Sequence, residues 1–278
     1  MPAVFRWTEQ DAWALLETCE RDDVASLIRK HIRPGSSILE AGCGAGRYVK
    51  YLAKQGYAVE GLELSGETVA MVKRIWPDCS IIQGDVLKLP YPSDSFDAVL
   101  SLGVVEHFLA GPGGALDEMR RVLRPGGVAI VTVPCLNTVR RIKRSLWLAE
   151  ILGLRGLLAA MIKGESLRPN RTKKEHRFAA YPAFGQFFEY RMTPGEFAAQ
   201  VEKSGLMIVD RCPSAVIDGV YHDLNPGGLL IRFADWRFQP TRFATWLNSV
   251  LSRRPYSHCH MQAIVARKSD VTSSLASR

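Results

Sequence analysis

Short apolar runs alternate with amphipathic segments through the first half of the chain. The apolar runs predict β-strands near residues 37–41, 58–63, 80–83, 96–101 and 128–133. The segments between them place apolar residues at helical spacing and predict helices near 45–55, 66–76 and 113–122. Strands that are separated by helices favour a parallel sheet covered on both faces. The pattern therefore predicts an α/β domain with a doubly wound, mostly parallel sheet.

The segments on either side of this domain have patterns of their own. Residues 11–31 predict one amphipathic helix, which a Pro-Gly pair ends. Thr193 and Glu196 have the spacing of a capping box, so a helix is expected to begin there. Strands are expected over 206–211 and 260–266.

These patterns divide the chain into a central domain and added segments. The central domain takes residues 36–135, 192–212 and 259–268, after a helical cap over 1–35. Two insertions are expected over 136–191 and 213–258, and a disordered tail over 269–278. In the second insertion the expected packing anchors are Trp236, Phe238, Phe243 and Trp246.

A glycine cluster follows the first predicted strand directly. Gly42, Gly44 and Gly46 lack a Cβ, so the backbone can turn tightly there and approach a ligand closely. The next helix points its free N–H groups at the same place. Glu63 lies about 20 positions beyond the glycines, where an acidic residue binds ribose hydroxyls in nucleotide-binding folds. Together these features predict a nucleotide-type pocket.

The cluster is also specific in form, because Glu40 precedes three glycines at alternate positions. This acidic-x-Gly-x-Gly-x-Gly pattern resembles motif I of the class I S-adenosylmethionine-dependent methyltransferases, and Glu63 matches the ribose-binding acid of that family. Residues 84–90 resemble the segment in which an aspartate, here Asp85, accepts a hydrogen bond from the adenine amino group. Residues 95–101 and 123–127 resemble the fourth strand and the turn into the fifth.

The resemblance, which is close over residues 36–134, has definite implications for fold and cofactor. It implies a type 11 small-molecule methyltransferase-like domain with a Rossmann-like, seven-stranded, mostly parallel sheet, and S-adenosyl-L-methionine as cofactor. The residues that it assigns to cofactor binding are Glu40, Gly42, Gly44, Gly46, Glu63, Leu64, Asp85, Val86 and Leu102.

The candidate catalytic residues follow the fourth strand. Methyl transfer from a sulfonium is an in-line displacement, so the protein mainly aligns the acceptor and removes a proton from a hydroxyl acceptor. Glu106 and His107 are the candidates, and His107 has the better intrinsic pKa for a base near neutrality. The alternative is that this pair only holds the loop and the cofactor. Further candidates from the insertions are His176, Tyr181, Tyr190 and His222.

Composition sets the class of protein and its expected compartment. With 278 residues and 47% hydrophobic content, the chain is typical of a folded, water-soluble protein. We expect a cytoplasmic protein without a signal peptide, since charges interrupt the first residues. The six cysteines are dispersed without C-x-x-C pairing, which favours reduced thiols over a zinc or disulfide framework. His258, Cys259 and His260 are interpreted as structural residues, so no metal is expected.

The net charge of +8 lies entirely in the first insertion. Residues 136–191 hold 12 Lys and Arg against 4 Asp and Glu, so the rest of the chain has 36 − 12 = 24 basic and 28 − 4 = 24 acidic residues. The insertion is expected to form a helical lid over the strand ends, with a solvated basic face. The alternative is an anionic partner for residues 140–177, either a membrane surface or a phosphate-bearing substrate.

The expected function is methyl transfer to a small-molecule or lipid-linked acceptor, at oxygen. Residues 105–108 resemble part of the fatty-acid cyclopropane synthases, which keeps lipid acceptors open. The alternatives are a non-catalytic S-adenosylmethionine-binding protein that acts through a membrane or macromolecular partner, an RNA methyltransferase and a nicotinamide-dependent oxidoreductase. Nucleic acid is the less favoured partner, and the sequence leaves the oligomeric state open.

Overall fold

A computed structural model describes residues 5–142, 178–180, 188–225, 228–234 and 237–270. In chain order its strands are β1 (Ser37–Ala41), β2 (Ala58–Glu63), β3 (Ser80–Gln83), β4 (Phe96–Leu102), β5 (Leu123–Pro134), β6 (Phe178–Ala180), β7 (Phe188–Tyr190), β8 (Leu206–Ser214), β9 (Ile231–Ala234), β10 (Arg237–Pro240) and β11 (Met261–Lys268). Its helices are α1 (Glu9–Leu16), α2 (Asp23–His31), α3 (Arg47–Lys54), α4 (Gly66–Ile75), α5 (Gly113–Val122), α6 (Pro194–Lys203), α7 (Val216–Leu224) and α8 (Arg242–Leu251).

Seven of these strands form one sheet in the order β3-β2-β1-β4-β5-β11-β8. The first five run parallel, and β11 is antiparallel to both of its neighbours. The strand order reverses between β1 and β4, and α/β sheets bind ligands at the carboxyl ends of the strands beside such a reversal. The predicted seven-stranded, mostly parallel, doubly wound sheet is confirmed.

Both faces of the sheet are buried because successive residues of each central strand point to opposite sides. In β1, Ile38 belongs to the core on one face and Leu39 to the core on the other, and both side chains are fully buried. In β5, Ile130 and Val131 divide between the same two cores. The near-continuous apolar runs in the sequence therefore reflect strands that are covered on both sides.

The prediction of one helix over 11–31 is wrong. The segment forms two α-helices, α1 and α2, with a 3-10 turn at Cys19–Arg21 between them. The Asp22 carboxylate accepts a hydrogen bond from the Val24 N–H at 3.1 Å, so Asp22 caps a new helix. The interpretation of 123–127 as a turn also needs correction, since β5 begins at Leu123, which pairs with Phe96 before a register shift.

The second insertion has a small core of its own. Val220 of α7, Ile231 of β9 and Ala244 of α8 are buried together, and Phe238 packs against them as predicted. Phe243 and Trp246 were also expected to be packing anchors, and this is wrong: their exposed fractions are 56% and 58%. They lie on the outer side of α8, whose inner side already meets the small core through Ala244.

Several expectations fall on residues outside the described ranges. They are Trp236, most of the basic insertion, including His176 and Tyr181, and residues 271–278 of the expected tail. Among the helices that the structure describes, none is both long and apolar enough to cross a membrane.

Candidate functional site

One cavity of about 320 Å³ opens at the carboxyl ends of β1, β2 and β4. Most of the predicted site residues line it: Glu40, Gly42, Gly44, Glu63, Leu64, Asp85, Val86, Leu102 and His107. Gly46 and Glu106 do not line it. The fold therefore brings residues from four separate loops together, as expected for the edge where parallel strands end.

The glycine loop is held against the end of β2 by backbone bonds. The N–H groups of Gly42 and Cys43 both donate to the carbonyl of Leu62, at 2.8 and 3.0 Å. Gly42 and Gly44 have φ values of +84° and +51°, a region that side-chain-bearing residues rarely adopt. Gly46, with φ of +73°, is the N-cap of α3, so its role in this structure is to start the helix.

Glu63 fixes the second side of the loop. Its Oε2 accepts the Gly44 N–H at 3.0 Å, and its Oε1 accepts the Ser65 N–H at 2.9 Å. Each carboxylate oxygen can accept more than one hydrogen bond, so Glu63 retains acceptor capacity toward the cavity. The backbone thus sets the orientation of the acid that sequence reasoning assigned to ribose.

Glu40 is almost completely buried at the end of β1. Its Oε2 accepts the Val49 N–H of α3 at 3.1 Å, which ties the strand to the following helix. Burial raises the pKa of Glu40 to about 8, although the nearby Arg47 guanidinium opposes that rise. Arg47 also lines the cavity and pairs with Asp22 at 3.3 Å.

Asp85 lies in an exposed turn after β3. Its Oδ1 accepts the Leu87 N–H at 2.9 Å, and its carbonyl accepts the Lys88 N–H at 3.0 Å. These bonds hold the turn and place Asp85 in the cavity wall, where Val86 beside it is buried. The carboxylate is therefore available to a ligand group that donates a hydrogen bond.

Glu106 and His107 are adjacent in sequence but have different environments. Both belong to a 3-10 helix at Val105–His107, and His107 Nε2 lies 3.9 Å from Glu106 Oε1. His107 lines the cavity, whereas the Glu106 side chain is 2% exposed and lies outside the cavity lining. Burial raises the pKa of Glu106 well above its ordinary range. Of the two candidate residues, only His107 faces the cavity.

An aromatic cover over the glycine loop was missed by the sequence analysis. Phe5 and Trp7, which precede α1, line the cavity, and their ring centroids lie 5.9 Å apart. A Cβ on Gly44 would lie only 3.0 Å from Trp7 Nε1. Phe5 also meets the ring of His107 edge-on at a centroid distance of 5.6 Å. The two aromatic residues themselves, on either side of Arg6, were the only signal in the sequence.

A second cluster of polar residues lies beside the site, where the two insertions leave the sheet. Arg140 Nε lies 2.8 Å from Asp223 Oδ2, and both side chains are almost fully buried. Asn137 Nδ2 donates to the same carboxylate at 2.9 Å. Arg140 was expected to belong to a solvated basic face, and this is wrong, because the ion pair buries it.

The same cluster contacts His260, which directly precedes β11, and affects its protonation. Arg140 Nη2 lies 2.6 Å from His260 Nδ1, and because a guanidinium only donates, that nitrogen is the acceptor. Burial lowers the pKa of His260 to about 3, and the positive charge of Arg140 contributes to this decrease. His222 stacks on His260 at 4.5 Å. Among the described residues, no group of histidine, cysteine and acidic side chains could hold a metal ion.

Comparison with protein families finds one matching model. Residues 39–131 match the model of a methyltransferase domain. These residues run from β1 into β5 and include the glycine loop, Glu63, Asp85 and His107.

Three curated relatives are each similar to about two fifths of the chain. A Mycolicibacterium smegmatis protein, named a probable S-adenosylmethionine-dependent methyltransferase, is 39% identical over 41% of this chain and 44% of its own length. Demethylmenaquinone methyltransferase of Beutenbergia cavernae is 40% identical over 38% of this chain and 44% of its own. The human protein named probable tRNA methyltransferase 9B is 37% identical over 39% of this chain and 24% of its own.

The similarity therefore spans less than half the length of each of these relatives. Similarity of fold extends further. The crystal structure of a SAM-dependent methyltransferase from Methanosarcina mazei matches 88% of this chain and 97% of its own, with a TM-score of 0.55 and 16% sequence identity. Similarity of sequence to the curated relatives thus covers about two fifths of the chain, whereas similarity of fold covers most of it.

Proposed function

We propose that the chain, whose residues 39–131 match the model of a methyltransferase domain, transfers a methyl group from S-adenosylmethionine to a small-molecule or lipid-linked acceptor, at oxygen. The observation that carries the proposal is that one cavity brings together Glu63, Asp85 and His107. Two of these residues suit the cofactor, and the third suits proton removal from the acceptor.

The size of the cavity suits a small-molecule ligand such as S-adenosylmethionine. Its volume of about 320 Å³ is within the range of roughly 300–1,000 Å³ that is usual for small-molecule sites. At Gly44 a Cβ would meet Trp7 Nε1 at 3.0 Å, so only a residue without a side chain lets the indole pack this closely over the loop. Glycine at this position is needed for space as well as for its φ value.

The polar residues of the wall match the groups that the cofactor would present. Glu63, held by the N–H groups of Gly44 and Ser65, would accept hydrogen bonds from ribose hydroxyls. Asp85, held by its own turn, would accept a hydrogen bond from the adenine amino group. Glu40 bonds to Val49, so its contribution is mainly to hold the loop in place.

In this proposal, His107 removes the proton from the acceptor. The cofactor, when bound, supplies a methyl group that is already activated by its sulfonium. The remaining work of the protein is to align the acceptor atom and to take up its proton, and an imidazole nitrogen of His107 is the base that faces the cavity. A hydroxyl needs such a base more than a neutral amine does, which favours oxygen as the acceptor atom.

The class of acceptor is supported by a relative and by the chain itself. The relative from Beutenbergia cavernae is named for demethylmenaquinone, a quinone with an apolar tail, and apolar side chains surround His107 in the cavity. The human relative is named for tRNA, so RNA is the second candidate acceptor.

The proposal is tested with methyl-labelled S-adenosylmethionine and three fractions of a cell extract: polar metabolites, total lipid and RNA. We expect label in the metabolite or lipid fraction, on oxygen by mass spectrometry. His107→Gln should lower turnover by about 100-fold or more without weakening cofactor binding. His222→Gln is the control, because this imidazole lies outside the cavity lining and should leave turnover unchanged.

Each other outcome contradicts a defined part of the proposal. Label in the RNA fraction would replace the acceptor class, and label on carbon or nitrogen would replace the acceptor atom. Cofactor binding without transfer to any fraction would identify a non-catalytic binding protein. No cofactor binding at all would remove the proposed function.

A further inference from the structure

The outer side of α8 carries a row of exposed apolar side chains. Phe243, Trp246 and Val250 are spaced three and four residues apart, so they lie on one face of the helix. Their exposed fractions are 56%, 58% and 40%. The Phe243 and Trp246 rings have centroids 5.5 Å apart, so they form one continuous apolar surface.

The orientation of this face is fixed by the opposite side of the helix. Ala244 is fully buried and Leu251 packs against the small core that α7 and β9 share with α8. Thr241 caps the helix, its Oγ1 accepting the Ala244 N–H at 3.2 Å. Rotation of α8 to hide Phe243 and Trp246 would expose this core, so the apolar face is a stable part of the surface.

The stretch of sequence that carries this face is basic. Arg242 begins α8, and Arg253 and Arg254 follow its last turn; all three are exposed, and none makes an ion pair within the described part of the chain. Residues 236–269 contain no Asp or Glu. Two copies of this face would bring like charges together, which disfavours a second copy of the chain as the partner.

We propose that α8 is an interfacial helix that docks on an anionic lipid surface. The helix would lie in the plane of the headgroups, with Phe243, Trp246 and Val250 in the boundary between headgroups and acyl chains. Aromatic side chains favour this depth, and the three arginines are placed to meet lipid phosphates. The inference does not depend on methyl transfer, and α8 is separate in sequence from residues 140–177 of the first insertion.

The test is vesicle co-sedimentation of the full chain. The vesicles contain phosphatidylcholine alone or mixed with phosphatidylglycerol. We expect binding to the anionic vesicles that falls as salt rises, because screening weakens the attraction of exposed charges. The double variant Phe243→Ser/Trp246→Ser should lose roughly tenfold or more in vesicle affinity. Arg253→Gln/Arg254→Gln should lose a similar factor, roughly tenfold, for anionic vesicles only.

Met207→Ser is the matched control, because Met207 on the edge strand β8 is 55% exposed but lies outside this face. Its affinity for anionic vesicles should equal that of the unchanged protein. Thermal unfolding of each variant checks that the fold is intact, and the arginine variants keep the test decisive if the serine variants unfold.

Four results of the vesicle experiments would overturn the inference. They are absence of vesicle binding, equal binding to neutral and anionic vesicles, vesicle affinity that the α8 variants leave unchanged, and self-association that Phe243→Ser/Trp246→Ser abolishes while vesicles do not bind. Competition of vesicle binding by single-stranded RNA, with direct RNA binding that depends on Trp246, would assign the face to nucleic acid and would equally overturn it.

Discussion

The Oε2 of Glu63 accepts the backbone N–H of Gly44 at 3.0 Å, which joins the end of β2 to the glycine loop after β1. The other oxygen of Glu63 accepts the Ser65 N–H at 2.9 Å, so the chain itself orients the carboxylate. This acid therefore holds the loop that forms the proposed cofactor site, in addition to its expected bond to ribose. Substitutions at Glu63 should therefore affect both the position of the glycine loop and the binding of the cofactor.

Glu63→Gln should weaken S-adenosylmethionine binding by about 1–3 kcal/mol. The glutamine has one amide group that donates where the carboxylate accepts, so either Gly44 or Ser65 loses its partner in a part-buried site. Calorimetric titration measures the affinity. Glu67→Gln is the control, since Glu67 is an exposed residue in the first turn of α4. Equal affinity of both variants would show that Glu63 does not contact the cofactor.

Gly42→Ala should destabilise the fold more than Gly56→Ala does. Both glycines have φ of +84°, so the strain of a left-handed alanine, about 1 kcal/mol, is common to the two variants. Only at Gly42 would the Cβ also meet Val104 Cγ2, at 2.6 Å, whereas Gly56 has nothing within 4 Å. We expect about 1–3 kcal/mol of additional loss from this overlap. Urea unfolding measures both free energies, and equal losses would contradict the predicted overlap.

Glu40 should make the protein less stable as the pH rises. The unfolded chain releases this proton near pH 4.5, but burial raises the pKa of Glu40 to about 8 in the folded state. Stability is therefore lost between these two values, and the full penalty applies above pH 8.

Glu40→Gln removes this titration and still offers an oxygen to the Val49 N–H. At pH 9 the variant should be more stable than the unchanged protein by about 1 kcal/mol or more, and near pH 5 the two should be similar. Urea unfolding at both pH values provides the measurement. A stability difference that is the same at pH 5 and pH 9 would argue against a raised pKa.

Replacing either member of the buried Arg140–Asp223 pair should strongly destabilise the fold, because the other charge would stay buried after the ion pair is broken. Arg140→Met and Asp223→Asn should each cost about 3–5 kcal/mol in urea unfolding, and the double variant should cost less than their sum. Glu202→Gln is the control, because it breaks an exposed pair with Arg211 and should cost about 1 kcal/mol or less. Additive losses at Arg140 and Asp223 would mean that the pair is not coupled.

Sequence reasoning succeeded where the deciding interactions are local. β1 and the glycine loop are consecutive in the chain. The pattern of apolar residues in β1 already predicts that Ile38 and Leu39 are buried on opposite faces of the sheet. The sequence pointed to Glu63, which lines the cavity, because the end of β2 lies at a regular distance from the first loop. These features depend on backbone geometry that short stretches of sequence determine.

Sequence reasoning failed where interacting residues are far apart in the chain, or where the orientation of a side chain determines its surroundings. Asp223 lies 83 positions beyond Arg140, so the charge count of the insertion could not reveal their ion pair. Glu106 and His107 are neighbours, and only the 3-10 turn shows that one faces the cavity and the other the interior. The capping role of Asp22 was overlooked because the apolar spacing continues across it.

The second insertion leaves the sheet at Ser214 and returns at Met261, and these two residues are paired partners in β8 and β11. Topologically the whole segment is thus a very long hairpin connection, whose two ends are adjacent whatever its length. Such a connection can be shortened, enlarged or exchanged without shifting the register of either strand. Changes in the length or sequence of this connection can therefore alter the docking face proposed on α8, while the cavity at the sheet edge keeps all of its lining residues.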